Sequence, residues 1–152
     1  NAISYRVGFG ASGIISNGSF RNLEDTLDYL SSTKMTTLGS DYYSAWCPNL
    51  IVINHGTNDS SADSATFKDK YLNALARIKT KYPYVKIVCM RPFNGTKATE
   101  IKEAVEETSN CIYVDTNGWG VTYTDGIHPN KDGAKKAGEQ LASIISEQKL
   151  LS

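Results

Sequence analysis

Pro48-Asn49-Leu50-Ile51-Val52-Ile53-Asn54-His55-Gly56-Thr57-Asn58-Asp59 is the stretch that decides how the chain is read. Leu50 to Ile53 is a continuous apolar, largely β-branched run between a proline and a glycine. That is the pattern of a strand buried on both faces of a parallel sheet, and such strands sit near the middle. The chain leaves the run through Gly56 into a small polar cluster. Asn58 and Asp59 are therefore predicted at the carboxyl end of a central strand, where open α/β sheets bind their ligands.

Working outward, Ser60 to Ser64 offers N-cap candidates, and Phe67, Tyr71, Leu75, Ile78 and Tyr82 recur at steps of three and four. This predicts an amphipathic helix that stops before Pro83. Val85 to Met90 reads as the next buried strand. Ala98, Ile101, Val105 and Thr108 mark a second helix, and Ile112 to Val114 a short last strand leading to Asp115. A loop rich in Gly and Thr, with Trp119, then runs to Asp125. The final helix follows Asn130, a good N-cap, with Ala134, Ala137, Leu141, Ile144 and Ile145 on its apolar side.

Upstream, Ile3 to Phe9 reads as a strand, Asn22 to Leu30 as a short helix, and Thr36 to Cys47 as a surface loop. Strands alternating with helices, without repeats or low-complexity tracts, predict an α/β domain. Its parallel sheet is doubly wound, with helices on both faces in three αβα layers. One domain, residues 1–152, accounts for all of it.

Sixteen basic and sixteen acidic side chains cancel. Without a basic excess there is no electrostatic footprint for nucleic acid and no polybasic segment for anionic lipid, so neither is expected as a partner. The apolar runs are far shorter than the roughly 20 residues of a membrane span. Cys47, Cys89 and Cys111 are widely spaced with no Cys-x-x-Cys pair, which indicates neither a disulfide framework nor a zinc site. Cys89, inside an apolar run, reads as a small core residue. Gly8-Phe9-Gly10-Ala11-Ser12-Gly13 matches the dinucleotide fingerprint literally, but Asn17-Gly18 interrupts the helix that must follow. The reading is a glycine turn where backbone passes close to something, and no cofactor or metal is expected.

There are two histidines. In Asp125-Gly126-Ile127-His128-Pro129-Asn130 a carboxylate precedes an imidazole by three residues at a turn before a helix. That spacing can bring an Asp125 oxygen to His128 Nδ1, leaving Nε2 free as a base. On its own it equally describes a capping turn. His55, without a carboxylate at turn spacing, reads as a scaffold residue. Asn58 can donate its amide N–H to a developing oxyanion, or serve only in a turn. Asp59 reads as an anchor for its own loop or the following helix.

Taken together, Gly56-Thr57-Asn58-Asp59 after a buried strand and Asp125-Gly126-Ile127-His128-Pro129 before the last helix resemble the SGNH (GDSL-like) hydrolase superfamily, and most closely its carbohydrate acetyl esterase branch. The resemblance implies a flavodoxin-like sheet and an ester hydrolase using a Ser-His-Asp triad. His128 and Asp125 would be catalytic, and Asn58 with the backbone N–H of Gly13, or failing that Gly10, would form the oxyanion hole. Gly56 and Asp59 would support them. An acyl-ester or acetylated carbohydrate would be the substrate, with Trp119, Phe93, Tyr123 and Trp46 as candidate contacts. A secreted or cell-surface setting is weakly favoured.

The family's Gly-Asp-Ser block, which carries the nucleophile on its first strand, does not occur here. Ser12, Ser16 and Ser19 read as loop serines. The expectation is an N-terminally incomplete domain that lacks the first strand, whose nucleophile lies outside this chain and which is almost inert alone. The alternative is a carbohydrate-binding or scaffold domain of the same fold without chemistry.

Overall fold

The structure, a computed structural model, describes residues 11–18, 21–27 and 47–151. The expected strand Ile3–Phe9, Gly8 and Gly10 of the glycine turn, Ser19, the end of the Asn22–Leu30 helix and most of the Thr36–Cys47 loop with Trp46 lie outside the described residues.

Three parallel strands form the described sheet in the order β1 (Leu50–Ile53), β2 (Lys86–Met90), β3 (Cys111–Val114). Ile53 stands opposite Cys89, and Cys89 opposite Tyr113. Helices α2 (Ser64–Lys81), α3 (Ala98–Glu106) and α4 (Lys131–Glu147) alternate with them, and a four-residue α1 (Leu23–Thr26) precedes β1. The α/β parallel architecture expected from the alternation is the one observed.

Three of the four described helices begin at a side-chain cap, while α3 starts after Lys97, at φ +58°, without one. Asp63 accepts the Thr66 N–H at 2.9 Å and starts α2, whose last turn carries Lys79 and Lys81 where the helix dipole favours cations. Asn130 accepts the Gly133 N–H at 2.9 Å and starts α4. The alternating side chains of the strands then divide into two cores. On one face Ile53, Ile87 and Cys89 meet Phe67, Tyr71, Leu75 and Ile78 of α2 and Ile101, Ala104 and Val105 of α3. On the other, Val88, Met90 and Val114 meet Trp119, Ala137 and Leu150, with Leu141, Ile144 and Ile145 of α4 packed at the margin. Cys89 is fully buried, and its hydrogen bond to Cys111 and its burial push the thiol's pKa up, as befits an inert core residue.

The expectation that Leu50–Ile53 is buried on both faces needs correction, whereas its place in the sheet turns on Ile3–Phe9, outside the described residues. Val52 is 41% exposed on the face that α4 covers over β2 and β3. The apolar run reports the strand faithfully, but full cover on both faces belongs to Ile87–Met90. A strand's burial depends on which neighbours lie over it, and β-branched residues serve a half-covered strand equally well.

Candidate active site

Because the three strands are parallel, the loops that follow them leave the same edge of the sheet. The loop after β1 carries Gly56 to Asp59. Gly56 adopts φ +128°, and a side chain there would press on Pro92, so glycine is what lets the chain turn off the strand. Asp59, 2% exposed, turns inward and back along the sequence. Its carboxylate accepts the N–H groups of Ile14 (2.8 Å), Ile15 (3.0 Å) and Ser16 (2.9 Å). A Cβ added to Gly13 would fall on that carboxylate, which accounts for the glycine. Asn58 donates its side-chain amide to Ser12 O at 2.9 Å. Two adjacent side chains thus grip both sides of Gly13.

The Gly13 N–H itself donates to Ser16 O at 2.9 Å, closing the turn. Ser12 donates its hydroxyl to Arg21 O and Ser16 to Ala11 O, so both are engaged with loop carbonyls. The anchoring by Asp59 differs from the local role expected for it: its carboxylate partners lie 43 to 45 residues upstream. No short motif could have signalled that. The glycine at position 13 was the only trace.

After β3, a loop leads to a short hairpin that ends at α4. Tyr123 and Pro129 form an antiparallel bridge, Thr124 N–H donates to His128 O at 2.9 Å, and Asn130 N–H to Thr122 O at 3.0 Å. At its tip, Asp125 Oδ2 stands 2.7 Å from His128 Nδ1, while Oδ1 accepts the N–H groups of Ile127 and His128. These backbone and side-chain hydrogen bonds from His128 and Ile127 lower the Asp125 pKa to about 2. The carboxylate therefore stays ionised, and the ring is steered so that Nε2 is the nitrogen left to act. The His128 side chain is 77% exposed.

Tyr123 also links this hairpin to a polar cleft of about 210 Å³, lined by Arg91, Phe93, Thr116, Trp119 and Tyr123 among others. Trp119, 8% exposed, both lines the cleft and packs in the core beneath it. Arg91 Nε lies 3.6 Å from Asp115 at the rim. His55 is half-buried; its Nδ1 is buried without a hydrogen-bond partner among the described residues, and burial lowers its pKa despite the nearby Asp59 carboxylate. Among the described residues no group of three or more His, Cys, Asp or Glu could hold a metal ion, and no helix is long and apolar enough to cross a membrane.

A family model of GDSL-like lipase/acylhydrolase matches residues 4–141. Comparison with functionally curated proteins gave no match. Among solved structures, a family two carbohydrate esterase from Clostridium thermocellum in complex with cellohexaose is similar, with a TM-score of 0.70 at 21% identity over 92% of this chain and 48% of that one. A family two carbohydrate esterase from Cellvibrio japonicus gives 0.71 at 23% identity over 94% and 47%. An acetyl xylan esterase from the rumen bacterium Butyrivibrio proteoclasticus gives 0.71 at 13% over 91% and 50%. The chain spans about half the length of the solved structures it matches.

Proposed function

This chain belongs to the GDSL-like lipase/acylhydrolase family, and from that premise we propose that it serves a serine ester hydrolase acting on acylated carbohydrate, acetyl esters first. The observation that carries the reading is the Asp125–His128 couple, 2.7 Å from Oδ2 to Nδ1, with the other carboxylate oxygen held by two backbone N–H groups. A carboxylate locked in that way fixes the imidazole's tautomer and stabilises the imidazolium.

In the proposed reaction His128 Nε2 takes the proton of a serine that attacks the ester carbonyl. The same nitrogen then returns the proton to the departing sugar hydroxyl, and water completes the hydrolysis of the acyl-enzyme. No residue of this chain is assigned as that serine, since no Gly-Asp-Ser block occurs in it. Asn58 has a second amide N–H beyond the one donated to Ser12 O, and that one is assigned to the tetrahedral oxyanion. Gly13 N–H joins it by exchanging Ser16 O for the oxyanion, a trade that a charged acceptor favours. The reading calls on neither metal nor cofactor. The cleft bordered by Phe93, Trp119 and Tyr123 is assigned to the carbohydrate leaving group, on whose faces aromatic rings pack.

A chromogenic acetyl ester and an acetylated xylan, offered to this chain alone and to the full-length protein, test the proposal. Turnover in the full-length protein and near-inertness in the chain are expected, since loss of a triad serine costs on the order of a millionfold. Equal rates in both would remove the argument for an external nucleophile, and none in either would remove the esterase. A non-catalytic carbohydrate-binding domain is the second reading, favoured by one observation: both assigned oxyanion donors already have carbonyl partners. Binding of the acetylated glycan without hydrolysis by the full-length protein would select it.

A further inference from the structure

Asp59 is the one fully buried acidic side chain in the loop after β1, and what it binds is unusual for a residue at a helix approach. Three successive main-chain N–H groups, of Ile14, Ile15 and Ser16, converge on its two oxygens at 2.8 to 3.0 Å. Successive N–H groups curling round one anion form a nest, a concavity of fixed positive partial charge. Here the anion is supplied by the protein itself, from 43 to 45 residues further along the chain. Ile15 and Ser16 are only half-buried, so their N–H groups are not held by sequestration alone.

We infer that Asp59 is a positioning residue for the reaction, the pin that sets the Gly13 turn and the Asn58 amide at their working separation. The inference rests on the esterase reading for its kinetic consequence but not for its geometry. Asn58 and Asp59 are consecutive, so when the carboxylate seats in the nest the neighbouring amide is delivered to Ser12 O on the other side of Gly13. One Asn58 N–H is thereby fixed on Ser12, which directs the second along a single line away from it. Both assigned oxyanion donors, the Gly13 N–H and that second amide N–H, then inherit their positions from the same carboxylate. Asparagine at position 59 would keep the shape but present an N–H₂ to one side of a nest that contains only donors, and the turn would shift. Misplacement of about 1 Å in such a constellation costs on the order of a hundredfold in rate.

The test uses full-length protein carrying Asp59→Asn, with acetyl ester kinetics and amide hydrogen exchange read together. In wild type, the amides of Ile14, Ile15 and Ser16 should exchange far more slowly than that of exposed Gly18 in the same turn. In D59N that protection should vanish while the core helix α2 keeps its own. kcat should fall by about ten- to a hundredfold, with KM changed by less than about threefold. Should D59N fail to fold, Gly13→Ala, which drives a methyl into the same carboxylate, should show the same split of kcat from KM. Equal exchange of residues 14–16 and Gly18 in wild type overturns the inference, as does a D59N enzyme with unchanged kcat. If wild type itself turns over no ester, the esterase reading has failed, and exchange alone then decides whether Asp59 pins the turn.

Discussion

At the residue scale, the Asp125 carboxylate orients His128 through one oxygen and fixes the hairpin tip through the other. Asp125→Asn would preserve the shape but favour the wrong ring tautomer. In the full-length protein it should lower kcat by about 10³- to 10⁴-fold with little change in KM, measured on an acetyl ester. The depressed pKa also sets a pH window. A carboxylate whose folded value is about 2, below its ordinary value of 3.8, contributes stability that is fully present above that ordinary value and lost as pH falls through about 2. The Asp125 carboxylate carbon resonance should therefore show its own protonation step centred near 2. A transition centred near 4 would show that the hydrogen bonds are not made in solution.

At the scale of elements, α4 and the hairpin before it are joined by a contact between main chains. Gly133 sits in the first turn of α4, where a side chain would run into the backbone of Thr122, while Asn130 accepts from both Gly133 N–H and Thr122 Oγ1. Gly133→Ala would gain about 0.8–1 kcal/mol of helix propensity. Against that, overpacking of rigid backbone costs about 1–3 kcal/mol. The expected net result is a lower melting temperature together with reduced esterase activity, because the displaced strand leads straight to His128. A more stable G133A protein would contradict the contact.

What could be read in advance follows the reach of each signal. The spacing of Phe67, Tyr71, Leu75 and Ile78 marked α2 because a helix repeats within its own length. Asn130 and the Asp125-x-x-His128 spacing were legible because a turn is built from neighbours. Val52's exposure was not legible, since it depends on which elements lie over β1. Nor was the target of Asp59, whose partners are far upstream. The depth of Trp119, a candidate substrate contact that lines the cleft yet is 8% exposed, was not legible either.

At the scale of the molecule, the two faces of the sheet are anchored unequally. Five side chains of α2 are buried, including Phe67, Tyr71 and Leu75, whereas in α4 only Gly133 and Ala137 are buried. Elements with few buried apolar contacts open at lower free energy than the core they cover. The general base assigned to the reaction is therefore tethered to the looser layer, while the Asn58–Asp59 corner stands against the tighter one. On slow heating of the full-length protein, loss of ester turnover should precede the collapse of near-ultraviolet ellipticity, and should track exchange in α4. Coincident midpoints would mean that both layers melt as one. An enzyme so arranged would fail first by letting its proton acceptor drift, with the anion-stabilising corner still standing, and cooling before the second transition should restore full turnover.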